Sequence, residues 1–316
     1  MTDTVTDLVE RARTGEARAI ARLISMVEDG SPQLPDMLSA LRGGGTAYVV
    51  GITGAPGVGK STVTNALVTA YRERGDRVAV LAVDPSSPFT GGALLGDRIR
   101  MQGQAGDSGV YIRSMASRGQ LGGLAAATPQ AVRVLEAAGF DVVLVETVGV
   151  GQSEVDIAAT ADATVVLLAP GMGDGIQAAK AGILEIGDIL CVNKADRDGA
   201  ASTVREVRQM LQLGGNRDDW KPVVVTSIAA QDAVADLLAA LDDRRTWLGE
   251  GDHLVRRRRQ RARGEVLALA LGGLRGRLEE RLSGAHLTDI DAVAEGSLSP
   301  YEAAERLIAE DDRMGS

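Results

Sequence analysis

Segment 54–61, GAPGVGKS, has the residue types and the spacing G-x-x-x-x-G-K-[ST] that are typical of phosphate binding. Its glycines permit backbone conformations that turn successive N–H groups toward phosphate oxygens. The ammonium of Lys60 can reach the β- and γ-phosphates, and the hydroxyl of Ser61 can bind Mg²⁺. An apolar run precedes the segment and a helical pattern follows it, so we predict a nucleotide site rather than a plain glycine-rich turn. The candidate residues are Gly54, Ala55, Pro56, Gly57, Val58, Gly59, Lys60, Ser61 and Thr62.

Segment 193–196, NKAD, follows another apolar run and indicates which base the site binds. The carboxylate of Asp196 would accept hydrogen bonds from guanine N1–H and the 2-amino group, whereas adenine has no 2-amino group and presents a lone pair at N1. A site that leaves a buried polar group unpaired rejects the wrong base strongly. By itself NKAD can also be a turn with a capping aspartate, but segment 226–229 (TSIA) follows the next apolar run, where GTPases contact the base. The candidate residues are Asn193, Lys194, Asp196, Ser227, Ile228 and Ala229, although many GTPases carry alanine at the position of Ile228.

Three acidic residues follow predicted strands and are candidates for the surroundings of Mg²⁺. Asp84 begins DPSS, Asp97 lies in GDRIRM, and Glu146 begins ETVGVGQ. Loops beyond strand ends bring carboxylates toward the γ-phosphate, where Mg²⁺ and its waters need oxygen partners. Asp84 and Asp97 can alternatively be turn or cap residues. The N–H of Gly149 could contact the γ-phosphate and so report whether hydrolysis has occurred.

Short β-branched runs alternate with helix-length stretches, and this pattern supplies the elements that position the segments. Such alternation predicts a mostly parallel sheet covered on both faces, with ligands bound beyond the carboxyl ends of the strands. The predicted strands are Ala47–Ile52, Val78–Val83, Val110–Arg113, Val142–Val145, Thr164–Leu168, Ile189–Val192 and Val223–Thr226. The predicted helices between them are Ser61–Arg74, Pro129–Ala138 and Ala201–Leu211.

Helical patterns flank this central part on both sides. Residues 4–41 show one apolar stripe, and the chain after Leu237 is Arg-rich and helical, including Val255–Leu282 and Pro300–Ala309. We therefore predict an α/β P-loop NTPase domain over residues 46–248, between an N-terminal helical extension, 1–45, and a C-terminal helical region, 249–316. The arginines of segment 256–263 are expected to be solvated or to face a dimer partner, because no aromatic residues interleave them.

Composition excludes several classes of function. The formal net charge of −9 disfavours non-specific nucleic-acid binding. One cysteine and two histidines exclude an internal disulfide, a cysteine-built zinc site and a histidine-rich metal cluster. The polar N-terminus shows no signal peptide, and no apolar run is long enough to span a bilayer, so we expect a soluble, cytoplasmic protein.

Several of these motifs together resemble the MeaB/MMAA family, the methylmalonyl-CoA mutase-associated G proteins. The motifs that carry the resemblance are the phosphate loop, DPSSPFTGGALLGDRIRM, RSMASRGQLGGL, ETVGVGQSE, PGMGDGIQAAKAG and NKAD. The resemblance covers roughly the whole chain. It implies a Mg²⁺-dependent GTPase of the class that includes signal-recognition-particle and MinD-like proteins (SIMIBI). It also implies a homodimer through the C-terminal helical arm and a chaperone that gates cofactor loading and protects an adenosylcobalamin-dependent mutase from inactivation.

The same resemblance assigns roles to individual residues. It places Asp84, Asp97 and Glu146 in the Mg²⁺ and switch apparatus, together with the Ser61 hydroxyl that the phosphate-loop motif predicts as a metal ligand. It makes segment 170–180 a third switch that couples nucleotide state to the mutase, with Gln177 and Lys180 as polar contacts. Lysine occurs at only four positions while arginine supplies 30 of the 34 basic residues, which supports a specific role for Lys180. The candidate residues for hydrolysis and switching are Lys60, Glu146, Gly149, Gln177 and Lys180.

Three other functions stay open from the sequence. A nickel-insertion type of metal-delivery GTPase shares the class but normally needs histidine and cysteine ligands. A P-loop kinase for a small molecule would transfer phosphate to that acceptor, yet it has no need to recognise guanine. A nucleotide-gated scaffold would bind partners with negligible turnover.

Overall fold

Seven strands form one sheet at the centre of the computed structural model, which describes residues 4–43, 45–84, 106–116, 123–147, 153–171, 186–213, 220–284 and 287–314. The strands are β1 (Tyr48–Gly54), β2 (Val78–Asp84), β3 (Val110–Ala116), β4 (Val142–Thr147), β5 (Ala163–Leu168), β6 (Ile189–Val192) and β7 (Val223–Thr226). Their order is β3-β2-β4-β1-β5-β6-β7, and every neighbouring pair is parallel. The carboxyl ends of all seven strands therefore share one edge of the sheet.

Helices precede, connect and follow these strands. Within the described residues they are α1 (Val5–Arg13), α2 (Ala17–Glu28), α3 (Leu34–Ala40), α4 (Lys60–Glu73), α5 (Gly123–Ala137), α6 (Ser153–Thr160), α7 (Ala200–Leu213), α8 (Ala235–Gly249), α9 (His253–Leu282), α10 (Leu287–Ala294) and α11 (Pro300–Met314). A 3₁₀ turn, Ala229–Gln231, follows β7. The α/β fold predicted from the alternating pattern is confirmed.

All seven predicted strands are present, but four of them extend further at the carboxyl end than their apolar runs. One of the four is β2, which ends at Asp84. β1 continues through Thr53 and Gly54, β3 reaches Ala116, and β4 includes Glu146 and Thr147. These residues stay paired in the ladder, as Glu146 does opposite Ile52 of β1 and Ala82 of β2. Polar residues at strand ends escape a hydropathy criterion, although their backbones hydrogen-bond like those of the apolar residues before them.

Two apolar layers cover the sheet. Alternate residues of β1, β2 and β4 point to opposite faces. Val50 and Ile52 pack with α4 and α8, whereas Val49 packs with α5 and α6. A smaller cluster joins β5 and β6 to α7. The predicted burial of both faces is confirmed, and the carboxyl edge, where the phosphate loop lies, is the part of the sheet that a ligand can reach.

The three helices before β1 share the core of the sheet. Leu8, Ile20 and Met37 are buried in the same apolar cluster as Val49 and Leu81. An ion pair adds a polar contact, because the guanidinium of Arg113 on β3 binds the buried carboxylate of Glu28 on α2. The boundary at residue 45 stays a prediction, and the packing shows that the helices before it form one core with the sheet.

The start of α9 packs on the sheet domain through arginines. Arg257 donates from Nε to the carbonyl of Ala161 at 3.0 Å and from Nη2 to that of Ala158 at 2.7 Å, at the end of α6. Further along, Glu265 is buried against Arg133 of α5, with an N···O distance of 2.6 Å. A hydropathy scale gives every arginine the same value, so the sequence predicted that all arginines of segment 256–263 are solvated or face a dimer partner. The structure corrects this, since Arg257 binds the chain's own helix end.

Apart from the contacts of Arg257 and Glu265 with the sheet domain, α9, α10 and α11 expose apolar side chains. The exposed residues are Val255, Val266, Leu267, Leu269, Leu271, Leu274, Leu287, Ile290, Tyr301 and Ile308. None of the helices in the described part of the chain is both long and apolar enough to cross a membrane.

Candidate functional site

The phosphate loop connects β1 to α4 at the carboxyl edge of the sheet. Gly59 caps α4 in the left-handed conformation, with φ of 97°, and the first turn of the helix carries no acidic side chain. The helix amino terminus, with its partial positive charge, is therefore directed at the loop, and no carboxylate of its own first turn offsets it. Lys60 folds back over the loop, where Nζ donates to the carbonyls of Gly54 at 2.8 Å and Ala55 at 3.2 Å. This arrangement suits an anion that would take over the contacts of the ammonium.

Gly54 approaches the neighbouring strand too closely for a side chain. Its φ is 143°, and a Cβ there would lie 2.4 Å from the carbonyl oxygen of Leu167 on β5. We expect Gly54→Ala to lower the free energy of unfolding by about 2–4 kcal/mol, because backbone strain adds to the overlap. Gly57→Ala is the control, since its φ is also positive but nothing lies within 4 Å of the added Cβ. Urea denaturation of both variants tests this, and equal losses would contradict it.

Glu146 faces the phosphate loop from the end of β4. Ser61 donates from Oγ to Glu146 Oε1 at 2.7 Å, and Thr64 donates to Oε2 at 2.9 Å. The carboxyl group is buried, since only 6% of the residue is exposed. A hydroxyl and a carboxylate oxygen that converge at the start of α4 are the hard donors that Mg²⁺ takes together with phosphate and water oxygens. These two residues fit a magnesium ion.

Asn193 joins the predicted base loop to the phosphate loop. Its Nδ2 donates to the carbonyl of Val58 at 2.9 Å. Its Oδ1 accepts from Ser227 Oγ at 3.0 Å and from the backbone N–H of Ala229 at 3.2 Å. The side chain is buried, and a Cβ on Gly59 would lie 2.6 Å from its Nδ2. One amide therefore holds three segments together that are far apart in the sequence.

Lys194 and Asp196 lie on the rim of the same site. Lys194 has a φ of 58°, an uncommon value for a residue with a side chain, and its Nζ donates to the carbonyl of Gly57 at 2.6 Å. The N–H of Ala195 donates to the carbonyl of Ser227 at 3.1 Å and fixes the turn. The carboxylate of Asp196 is exposed beside this turn, where a base can reach it. Ile228 contributes a backbone bridge to Ala233 instead of a polar side chain.

Cys191 lies directly behind this network. Its Sγ is 3.2 Å from Ser227 Oγ, and burial raises the pKa of the thiol to about 12. The residue belongs to the apolar core on one face of the sheet. Its polar contact with Ser227 adds a support for the base loop that hydropathy does not reveal.

The structure describes the remaining predicted site residues to different extents. Asp84 is the last residue of β2, beside β4, and the structure describes its backbone alone. Asp97, Gly149, Gln177 and Lys180 lie outside the described residues. Thr62 is exposed in the first turn of α4. Among the described residues, no three histidine, cysteine, aspartate or glutamate side chains form a cluster that could hold a metal by themselves.

Sequence motifs missed Thr64, Thr53 and Thr147. Thr64 binds Glu146, and Thr147 donates to the hydroxyl of Thr53 at 3.2 Å across β1 and β4. Thr64 stands three residues after Ser61, a spacing that places both hydroxyls on one helix face. That spacing was the available signal. The pairing of Thr53 with Thr147 depends on the order of the strands in the sheet, which cannot be deduced from a single sequence.

Comparisons with known proteins show the family of this chain. The model of the family Methylmalonyl Co-A mutase-associated GTPase MeaB matches residues 20–282. A Mycobacterium tuberculosis protein named as a probable GTPase is 45% identical over 269 residues, which are 82% of this chain and 80% of that protein. The methylmalonic aciduria type A homolog, mitochondrial, of Caenorhabditis elegans is 37% identical over 269 residues, 83% of this chain and 67% of that protein.

A solved structure extends the similarity to the whole fold. The crystal structure of an LAO/AO transport system kinase is 26% identical, covers 99% of both chains and superposes with a TM-score of 0.73. The matched family residues include the phosphate loop, Glu146 and the segment that carries Asn193. The chain therefore belongs to the MeaB family of methylmalonyl Co-A mutase-associated GTPases, and it is a GTPase that converts GTP and water into GDP and phosphate.

Proposed function

We propose that this GTPase depends on Mg²⁺ and serves as a G-protein chaperone for an adenosylcobalamin-dependent methylmalonyl-CoA mutase or a related acyl-CoA mutase. In this role it gates cofactor loading and protects the mutase from inactivation. The observation that supports the nucleotide part is the junction at Asn193, whose side chain joins the phosphate loop to the segments proposed to bind guanine. The family match and the name of the Caenorhabditis elegans relative support the mutase as partner.

Hydrolysis at this site requires a water in line with the γ-phosphate and positive charge around the transferred group. Lys60 would exchange the carbonyls of Gly54 and Ala55 for phosphate oxygens and hold them as negative charge develops. Ser61 and Glu146 would hold Mg²⁺, with Asp84 and Asp97 as further candidates. When bound, Mg²⁺ supplies positive charge to the β- and γ-phosphate oxygens.

The switch residues complete the proposal. Gly149 is three residues after Glu146 in the sequence, so its N–H is a candidate sensor of the γ-phosphate. Gln177 and Lys180 are candidates for the contact that passes nucleotide state to the mutase. We infer that isolated turnover is slow because the partner completes the site. The cytoplasmic location stays a prediction from the sequence.

The C-terminal helices are the proposed dimerisation arm, over residues 249–316. Their exposed apolar residues include Val266, Leu267 and Leu271, each more than half exposed. Leu267 and Leu271 are one helical turn apart, and several exposed apolar side chains on one element are typical of a protein interface. A second copy of the chain is the partner that the family resemblance implies, and light scattering of the purified protein tests it.

One alternative function has a specific observation in its favour. The solved structure with a TM-score of 0.73 is named a kinase. A P-loop kinase would pass the phosphate to a small acceptor rather than to water. Segment 193–196 is proposed to bind guanine, which such a kinase does not need, and the relatives are named as GTPases, so the GTPase switch is the better-supported function.

The experiment that tests the proposal measures phosphate release from GTP by the purified protein, with and without the cobalamin-dependent mutase, in Mg²⁺ and in excess EDTA. ATP is the control nucleotide. We expect slow hydrolysis of GTP that needs Mg²⁺ and is accelerated by the mutase. Hydrolysis without acceleration would contradict the mutase as partner, and a preference for ATP would contradict the guanine assignment.

A further inference from the structure

Thr64 lies one helical turn after Lys60 in α4, and its side chain is fully buried. Its Oγ1 is 2.9 Å from Glu146 Oε2 and 3.0 Å from the backbone carbonyl oxygen of Lys60. A threonine hydroxyl carries one proton, so these two acceptors compete for it. The carboxylate is the stronger acceptor because it is charged. Thr64 is thus placed to direct its proton to Glu146.

Ser61 makes the matching contact with the other carboxylate oxygen, at 2.7 Å from Oε1. Ser61 and Thr64 are three residues apart and share one face of α4. The terminal torsion of a glutamate side chain is broad, so a carboxylate with a single contact can rotate. Two hydroxyls from one rigid helix remove that freedom and set the direction in which the oxygens of Glu146 point.

We propose that Thr64 is a positioning residue for the divalent cation of this GTPase. It holds Glu146 Oε2 on the helix so that Oε1 faces Ser61, where the cation is proposed to bind. This inference rests on the proposed Mg²⁺-dependent function and deepens it. Glu146 is only 6% exposed, so little water can replace the hydrogen bond from Thr64 if the hydroxyl is removed.

Thr69 provides a control within the same helix. It has the same side chain, and its Oγ1 donates to the carbonyl of Asn65 at 3.2 Å, which is the same i−4 backbone bond that Thr64 makes to Lys60. That bond is common for threonine inside helices. Thr69 lies five residues further along α4. A defect confined to Thr64 therefore reports the contact with Glu146 and not the general cost of removing a helical hydroxyl.

The test measures release of a fluorescent GDP analogue (mant-GDP) from the full-length protein across a titration from excess EDTA to saturating Mg²⁺. The variants are T64V, T64A, T64S and T69V. We expect T64V and T64A to need about 10- to 100-fold more Mg²⁺ for half-maximal slowing of release, the usual cost of losing a partner that orients a metal ligand. Release in EDTA stays as in the wild type. T64S, which keeps the hydroxyl, and T69V behave like the wild type.

The outcomes separate this inference from the proposed function. If the rate of mant-GDP release from the wild type does not change with Mg²⁺, the proposed Mg²⁺ dependence itself would be contradicted. A Mg²⁺-dependent wild type with unchanged T64V and T64A would overturn the positioning role alone. If T64V and T64A release the nucleotide faster by the same factor in EDTA and in Mg²⁺, the positioning role would also be overturned. Loss of folding in both hydroxyl-free variants, judged by circular dichroism, would also overturn it, because it would show a structural role.

Discussion

Replacing Asp196 with asparagine is expected to weaken GTP binding by about 10²- to 10⁴-fold. Two hydrogen bonds to a charged carboxylate are lost, and each is worth about 1.5–3 kcal/mol. In either orientation the new amide NH₂ faces one of guanine's two donors, N1–H or the 2-amino group, so two donors oppose each other. Binding of xanthosine triphosphate should improve at the same time, since xanthine has a carbonyl in place of the 2-amino group and can accept from the amide. Isothermal titration with both nucleotides measures the change.

The structure makes this substitution a clean test. The carboxylate of Asp196 is exposed, while the turn around it is fixed by backbone contacts of Ala195 and by Lys194. Asp198→Asn is the matched control, because Asp198 is also exposed and lies two residues further along the same loop. It should bind GTP like the wild type. If the Asp196 and Asp198 variants bind GTP equally well, segment 193–196 does not read the base.

Replacing Lys60 with alanine is expected to lower kcat for GTP by about 10²- to 10³-fold or more. One preorganised donor to a developing negative charge is worth that much in enzymes of several classes. Lys60→Arg should not restore the rate, because the pocket over Gly54 and Ala55 holds a compact ammonium and a guanidinium is larger and planar. Single-turnover phosphate release with saturating GTP measures the chemical step separately from binding.

Lys221 offers the control for this prediction. It is one of the four lysines of the chain, it is exposed, and it lies outside the nucleotide motifs. Lys221→Ala should keep the wild-type kcat. If Lys60→Ala keeps the wild-type rate, the proposed role of the phosphate loop in the hydrolysis step would be contradicted.

The strand order illustrates the limit of a single sequence. Seven apolar runs predict seven strands, since buried parallel strands are apolar on both faces. Their order depends on which helix crosses which face, and β4 lies between β1 and β2 although it follows β3 in the chain. That position brings Glu146 beside the phosphate loop. The pattern predicts the parts of the sheet, and long-range packing places them.

The candidate site shows the same division at the level of single residues. The motifs predicted Lys60, Ser61 and Asn193 because phosphate and guanine recognition need these residue types at a local spacing. Thr64 was missed because a buried threonine in a helix is ordinary, and its meaning depends on a carboxylate 82 positions away. The docking of Arg257 on α6 was missed for the same reason, since its acceptors are backbone carbonyls.

The amino-acid sequence by itself determined the fold class of this protein, because the fold class rests on local periodicity. From residue types at short fixed distances it also predicted a phosphate loop and a guanine-binding segment. The tertiary structure alone decided how Asn193 joins the loops, how two hydroxyls of α4 hold Glu146, and how α9 packs on the sheet domain. Those contacts link residues that are distant in the chain. Their free energy is gained only after the core has brought the strand ends together, so no local pattern can encode them.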